Sequence, residues 1–282
     1  MAKKGKRGRT GGGDGNHAHT GGFPPHLVEA CKPPRRRDAQ GRQRPPPPPP
    51  EVMELYPRHV YASRNFLSPS ECQMWIQAAE HSVGGGGGGF ESVRHAATRY
   101  VARRECGRIQ MDDRRVAGAL YERMGPIVAQ VADGVGVTHP DAAYGPVGLS
   151  ENIRLYRYGR GMSFGRHFDG SNREPSFGDT ANTEITVLIY LSDCRGGATR
   201  FYPPASSAGG TKKKKTKKQK EAETPTKGGV DDKDGVAFVP EEGAVLLHVH
   251  GDRCLEHEAD PVLDGIKYVL RTDVVYAVDG GA

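Results

Sequence analysis

The sequence is poor in apolar residues, and none of its apolar runs is long enough to cross a membrane. Only 35% of its 282 residues are hydrophobic, and one is tryptophan. The basic N-terminal residues are not followed by the apolar stretch of a secretory signal. No Asn-x-Ser/Thr sequon occurs. We therefore expect a protein of the cytoplasm or nucleus without a membrane segment.

Cysteine is also scarce, and its spacing excludes two classes of small domain. The five cysteines are odd in number, widely spaced and free of any Cys-x-x-Cys pair. This pattern argues against a disulfide framework and against a zinc knuckle. It is consistent with a reducing compartment.

Glycine and proline, by contrast, are abundant, with 39 and 21 residues. Many of them lie in low-complexity blocks, which cannot bury enough apolar surface to offset the entropy of ordering. We predict a disordered tail over residues 1–50, which ends in six prolines. A folded domain over residues 51–280 should follow, interrupted by a disordered Lys-rich insertion at about 205–235.

The net charge of +6 comes mainly from basic runs in these blocks. Such runs stay solvated and bind polyanions without specificity. Weak contact with RNA and a purely solubilising role are both consistent with them.

Two helices are predicted near the start of the folded part. Ser68 and Glu71 form a capping box around Pro69, and apolar spacing continues to about His81. A second helix should begin at Asp112-Asp113, and Pro126 should kink it or split it.

Many short strands follow the helices. The strongest prediction is Thr183–Asp193, which is almost continuously apolar and β-branched, so both its faces should be covered. Helices followed by many strands with turn signals favour an α+β fold that is mainly β. We expect a jelly roll, also called a double-stranded β-helix, buttressed by the N-terminal helices.

The segment Ile153–Asp169 contains the first candidate for chemistry. His167 and Asp169 are two apart on an extended segment, so their side chains share a face. By itself His-x-Asp is common and without meaning. Together with His257, which lies at the end of a late strand, it could bind Fe(II) through two imidazoles and a carboxylate. This set would leave positions for a 2-oxo acid and O₂. Lys267 could then pair with the distal carboxylate of the acid.

The chain resembles the 2-oxoglutarate- and Fe(II)-dependent dioxygenases, and among them the catalytic domains of the prolyl 4-hydroxylase group. The resemblance covers about residues 56–278 apart from the glycine and lysine insertions. It is carried by short motifs in the family's order: Asn65-Phe66-Leu67-Ser68, Tyr158-Gly159, His167-Phe168-Asp169, Tyr190-Leu191-Ser192-Asp193, Gly196-Gly197-Ala198-Thr199, Gly243-Ala244, His257, Pro261-Val262, Gly265 and Lys267.

The resemblance implies His167, Asp169 and His257 as iron ligands and Lys267 as the residue that anchors 2-oxoglutarate. Arg271 shares a face with Lys267 and could anchor the acid instead, or form an ordinary salt bridge.

Two further residues are implied to bind the co-substrate: Tyr158 through its hydroxyl, and Thr186 on the apolar strand. Tyr158 could also be interior packing. His248 and His250 compete as metal ligands, because His-x-His also presents two imidazoles on one face.

As a whole, the resemblance implies hydroxylation of an unactivated C–H bond, most plausibly of a prolyl residue in a protein, with Fe(II), 2-oxoglutarate, O₂ and ascorbate. Arginines near the expected cleft (Arg154, Arg157, Arg160 and Arg166) could make its mouth positive and favour an acidic peptide or a polyanion. The default interpretation is that they are solvated residues at strand ends. Two other hypotheses remain. One is a zinc hydrolase on the same three residues, and the other is a non-catalytic protein that binds nucleic acid or a partner through its basic tails.

Overall fold

The structure is a computed structural model of the chain. It describes residues 22–34, 50–81, 89–98, 101–136, 144–203, 230–231 and 235–278. The basic runs at the N-terminus and at Lys212–Lys220, the proline run and most of the Lys-rich insertion lie outside these residues. The predictions made for them therefore stay predictions.

Three helices precede most of the strands: α1 Pro25–Cys31, α2 Pro69–His81 and α3 Arg114–Val135. The prediction of α2 is confirmed, and its capping box is formed, because the backbone N–H of Ser68 donates to Glu71 and the backbone N–H of Glu71 donates to the hydroxyl of Ser68. The side chain of Asp113 caps α3. The described helices include none with the length and apolarity that a membrane crossing requires.

The predicted split at Pro126 is wrong, because α3 runs through it as one helix, and the alternative of a kink there stays a prediction. Met124, Ile127 and Val128 are all buried around the proline. Their packing against the sheet outweighs the loss of one backbone hydrogen bond.

The predicted disorder of residues 1–50 is wrong for residues 22–34, which contain α1. Phe23 and Leu27 are buried, and the ring of Phe23 meets that of Trp75 edge to face at 5.1 Å. The backbone N–H of Phe23 donates to Asp113, and Arg123 donates to the carbonyl of Ala30. A few apolar residues suffice here, because α2 and α3 supply a preformed surface.

The strands are short and antiparallel: β1 Met53–Tyr56, β2 Val60–Ser63, β3 Glu91–His95, β4 Arg104–Asp112, β5 Tyr144–Leu149, β6 Asn152–Tyr158, β7 Phe164–His167, β8 Asn182–Tyr190, β9 Arg195–Gly196, β10 Thr199–Tyr202, β11 Val230–Asp231, β12 Gly235–Phe238, β13 Val245–Val249, β14 Glu256–Ala259, β15 Val262–Asp264 and β16 Lys267–Val278. Short 3-10 turns cover Pro175–Phe177 and Gly251–Arg253.

These strands curl into a nearly closed barrel. Fourteen of the described strands form one continuous sheet. We call its part β2-β13-β8-β16-β6-β4, in spatial order, the larger sheet, and its part β7-β14-β10-β12 the smaller sheet. The two sheets join where β4 meets β7 through the single register pair Arg104 and Phe164. The predicted class, mainly β with a jelly-roll core and N-terminal helices, is confirmed.

Alternation along the strands of the larger sheet separates two cores. On β8, Ile185, Val187 and Ile189 belong to the core beneath the helices, whereas Tyr190 belongs to the core between the sheets. The same period of two places Leu270 of β16 beneath the helices. Odd-numbered residues of β16 and even-numbered residues of β8 therefore face the barrel interior. The polar residues among them form the candidate site.

Candidate metal centre

Two histidines and an aspartate meet on the smaller sheet. His167 ends β7, Asp169 follows it, and His257 of β14 is the register partner of His167. Oδ1 of Asp169 lies 3.7 Å from Nε2 of His167, and its Oδ2 lies 3.5 Å from Nε2 of His257. The donor atoms of the three residues lie within 4.8 Å of one another. The structure thus brings together the three predicted ligands.

Each imidazole is oriented by a backbone carbonyl. Nδ1 of His167 lies 2.9 Å from the oxygen of Gly165, and Nδ1 of His257 lies 2.9 Å from the oxygen of Leu255. Because a carbonyl oxygen only accepts, each Nδ1 carries a hydrogen and each Nε2 faces Asp169. Metal-binding histidines are held in this way. The donor set fits a divalent ion such as Fe(II) and leaves coordination positions for other ligands.

The electrostatics of the three residues also suit a cation. Burial acts to raise the pKa of Asp169, but the charge of Arg271 and the neighbouring histidines hold it well below its usual range. Burial and the nearby His257 lower the pKa of His167 to about 4. Burial acts to lower the pKa of His257 as well, but its hydrogen bonds with Asp169 and Cys254 raise it to about 9. A metal ion must therefore displace a proton from the pair of His257 and Asp169.

A buried ammonium group lies in the same cavity. Lys267 is 2% exposed, and its Nζ donates to the carbonyl of Gly197 at 2.7 Å and to Oγ1 of Thr199 at 3.4 Å. Among the described residues, no carboxylate lies within ion-pair distance of it. Burial lowers its pKa to about 8. Such a charge is costly unless a ligand anion compensates it, so Lys267 is suited to bind a carboxylate.

Two neighbours of Lys267 were not among the predicted site residues. Tyr190 and Thr199 bond each other through their hydroxyls at 2.8 Å, and the Nζ of Lys267 lies 5.4 Å from the ring centre of Tyr190. Tyr158, which was predicted, pairs with Lys267 in the register of β6 and β16 and lies beside it. Alternation along β8 could have identified Tyr190, because it shares a face with Thr186. We call Tyr158, Tyr190, Thr199 and Lys267 the anchor cluster.

We call His167, Asp169 and His257 the triad. The triad and most of the anchor cluster line one cavity, which opens between the two sheets. Its lining residues are Arg104, Tyr156, Tyr158, Phe164, His167, Asp169, Leu188, Thr199, His248, His257, Glu258, Ala259, Lys267, Val269 and Arg271.

Comparison with known proteins agrees with this arrangement. Residues 153–272, which include the triad and Lys267, match the model of the 2OG-Fe(II) oxygenase superfamily. This stretch, which we call the oxygenase domain, is therefore similar to that superfamily. The family therefore implies Fe(II), 2-oxoglutarate and O₂ for it, and the predicted resemblance is confirmed.

Relatives of the oxygenase domain include prolyl hydroxylases. Prolyl 4-hydroxylase 2 of Arabidopsis thaliana is 23% identical over 218 residues, which are 74% of this chain and 64% of the relative. The viral collagen prolyl hydroxylase of Paramecium Bursaria Chlorella virus-1 covers 78% of this chain and 97% of its own at 14% identity and a TM-score of 0.44. A Pseudomonas putida prolyl-4-hydroxylase covers 77% of this chain and 92% of its own, at 15% identity and a TM-score of 0.39.

Thr186 lies beside the carboxylate of Asp169 and outside the anchor cluster. Its hydroxyl donates to Oδ2 of Asp169 at 3.0 Å and lies 3.0 Å from Nδ1 of His250. These contacts indicate a role in holding Asp169. Among the described residues, Thr186 forms no hydrogen bond with Lys267. That Thr186 binds the co-substrate therefore stays a prediction.

Arg271 is engaged by carboxylates of the protein. Its Nη2 lies 3.1 Å from Oδ2 of Asp169 and 3.4 Å from Oδ1 of Asp273. Of the two anchor candidates on β16, only Lys267 is left without an acidic partner among the described residues. The contacts therefore favour Lys267 as the anchor.

The two competing histidines differ. His250 is held by two threonines, since its Nδ1 faces Thr186 and its Nε2 lies 3.1 Å from the hydroxyl of Thr183. His248 is buried, and its Nε2 lies 3.6 Å from Oδ2 of Asp169 without a hydrogen-bond partner. Only His248 is therefore positioned to approach an ion in the oxygenase site.

The arginines predicted to make the mouth positive are mostly neutralised. Arg154 pairs with Asp273, and Arg157 pairs with Glu80 at 3.3 Å. Arg166 stacks on Tyr202 and lies 3.5 Å from Glu256, while Arg160 is exposed in the turn after β6. Three of the four arginines therefore have acidic partners that offset their charge, and a cationic mouth stays a prediction.

Proposed function

We propose that the oxygenase domain hydroxylates a prolyl residue of a protein or peptide, using Fe(II), 2-oxoglutarate and O₂ and forming succinate and CO₂. The observation that carries this proposal is that one cavity contains both the triad and Lys267, which has no acidic partner among the described residues. The triad could hold the ion, and Lys267 could bind the distal carboxylate of a dicarboxylate such as 2-oxoglutarate.

The roles follow from the contacts. His167, Asp169 and His257 would hold the ion, and bound Fe(II) would activate O₂. O₂ is the oxidant: one of its oxygen atoms would enter the C–H bond and the other would oxidise 2-oxoglutarate to succinate and CO₂. Lys267 would pair with the distal carboxylate of 2-oxoglutarate, and Tyr158 would donate a hydrogen bond to it. The apolar walls of the cavity would keep water away from the reacting C–H bond.

The prolyl substrate is supported by the Arabidopsis relative, whose name states that activity. We include ascorbate in the proposal as the reductant that keeps iron in the Fe(II) state between turnovers.

The test is succinate formation by purified protein supplied with Fe(II), 2-oxoglutarate and ascorbate. We expect slow uncoupled turnover that His167→Ala abolishes. His95→Ala, which changes an exposed histidine of β3, is the matched control and should retain it. Proline-containing peptides should then gain the mass of one oxygen atom. Loss of turnover in both variants alike would contradict the assignment of His167.

The same assay separates a zinc hydrolase. Turnover that requires Zn²⁺ and ignores 2-oxoglutarate would replace the proposal by hydrolysis at the same three residues. In that reaction Lys267 and the anchor cluster would have no role.

A further inference from the structure

A third cation of the cavity has no role in the reaction proposed above. Arg104 begins β4 at the joint between the two sheets, opposite Phe164. Its guanidinium lies 4.4 Å from the ring centre of Phe164 and 4.5 Å from that of Tyr156. It is half-buried and lines the cavity together with the triad.

Arg104 differs from most charged groups around it in having no acidic partner among the described residues. Its Nε is buried and forms no hydrogen bond there. Glu258 also lines the cavity and could in principle pair with Arg104, but its carboxylate contacts Tyr202 and Arg166 instead. Two aromatic faces stabilise the guanidinium, which also interacts with the hydroxyls of Tyr156 and Tyr158. Neutral hydroxyls do not neutralise its charge, so the guanidinium still lacks an anion.

The charges of the site leave Arg104 in excess. Arg271 lies between Asp169 and Asp273, and Lys267 would be neutralised by the distal carboxylate of 2-oxoglutarate. The ion's two charges would be balanced by Asp169 and the other carboxylate of 2-oxoglutarate. Once the co-substrate is bound, Arg104 is the remaining cavity cation that still lacks an anion.

The position of Arg104 is suited to contact with the substrate. One face of Phe164 carries the guanidinium, and its ring stacks on His167 with centres 3.7 Å apart. Arg104 is thus separated from a ligand imidazole by a single aromatic ring. A group one or two residues from the reacting C–H bond of a bound peptide would come within its reach.

We propose that Arg104 binds a carboxylate of the substrate, so that the preferred substrate is a peptide with an acidic group next to its target residue. This inference rests on the proposed function and specifies its substrate class. The planar guanidinium matches a carboxylate through two parallel hydrogen bonds, which are stronger than hydrogen bonds between neutral groups. The acidic group can be an Asp or Glu side chain or the C-terminal carboxylate, and both are tested.

The first experiment uses the wild-type protein and pairs of proline peptides. Each pair differs only in Glu against Gln beside the proline, or in a free against an amidated C-terminus. We expect kcat/KM to be about 10- to 100-fold higher for the acidic member of one pair, which is the size of one charged hydrogen-bonded contact. Calorimetric titration of the same peptides into protein with Fe(II) and 2-oxoglutarate, without O₂, should show the same ratio in Kd.

The second experiment removes the cation. Arg104→Gln should abolish the discrimination within the pair by weakening the acidic peptide alone, and Arg104→Lys should restore part of it. Arg103→Gln is the matched control, because its side chain is 61% exposed and it lies 3.6 Å from Glu105. It should discriminate as the wild type does.

The outcomes separate the two proposals. Equal Kd and kcat/KM for both members of each pair in the wild type would overturn the role of Arg104 and leave the oxygenase proposal standing. A rise in the KM for 2-oxoglutarate in Arg104→Gln, with peptide discrimination unchanged, would also overturn it by making Arg104 part of the anchor. Absence of succinate with every peptide and without any would refute the proposed function itself.

Discussion

The two cations of β16 lie four residues apart on the same face of one strand, yet their surroundings are opposite. Arg271 contacts two carboxylates, whereas Lys267 contacts a backbone carbonyl and a hydroxyl. The protein therefore supplies the counter-charge for one and leaves the other for a ligand. That two cations share a face of a strand, which the sequence predicts, does not show which of them binds a ligand. The carboxylates that the fold places beside each cation distinguish the two.

The largest expected effect concerns stability. Arg271→Ala should remove a buried cation that contacts both Asp169 and Asp273, leaving Asp273 with Arg154 alone, and should lower the free energy of unfolding of the metal-free protein by about 3–5 kcal/mol. Chemical denaturation in the presence of a chelator measures this. Lys267→Met is the matched comparison. Because it removes an uncompensated buried charge, it should leave the stability unchanged or raise it. A large loss in Lys267→Met and none in Arg271→Ala would reverse the comparison.

The second effect concerns affinity for 2-oxoglutarate. Lys267→Ala should raise the Kd by about 10- to 100-fold, since it removes a charged hydrogen bond to the distal carboxylate. Calorimetric titration with Fe(II) present and O₂ absent measures the change. Arg271→Ala should have the smaller effect. If it has the larger one, the anchor is Arg271.

The third effect is a pH dependence that Lys267 should produce and Arg271 should not. In the free protein its pKa is about 8, lowered by burial, and the carboxylate binds the charged form. Affinity for 2-oxoglutarate should therefore be steady below pH 8 and fall about tenfold per unit as the pH rises above it. Titrations at saturating metal between pH 7 and pH 10 would show this fall. Lys267→Arg keeps its charge throughout and should remove the dependence, and a dependence that survives in it would assign the titration to another group.

Much of this site could be predicted from short-range patterns. The period of two placed His167 with Asp169 and Lys267 with Arg271, and the structure keeps both pairs on one face. His257 could not be placed in that way, because its position depends on the pairing of β14 with β7 far along the chain. The sequence offered His257 as a candidate on a late strand, and the resemblance to a family then implied its role as a ligand.

The errors have physical causes as well. The helix α1 lies in a region whose composition is typical of disorder, and it forms because other helices bury its apolar side. Arg104 was not among the predicted site residues, because in the sequence it is one of three consecutive charged residues, Arg103-Arg104-Glu105. Its place in the cavity depends on the pairing of β4 with β7, which brings the rings of Tyr156 and Phe164 beside it.

The smallest effect concerns two threonines: Thr186, which lies on the Arg271 side of the cavity, and Thr199, which lies beside Lys267. Thr186→Val removes a hydroxyl that donates to Asp169 on the Arg271 side and should lower the free energy of unfolding by about 1 kcal/mol. Its effect on the affinity for 2-oxoglutarate should be small. Thr199→Val removes a hydroxyl beside Lys267 and should show the larger loss of affinity, measured by the same titrations. If Thr186→Val weakens 2-oxoglutarate as much as Thr199→Val does, Thr186 reaches the co-substrate after all, and the boundary between the metal side and the anchor side of the cavity must be redrawn.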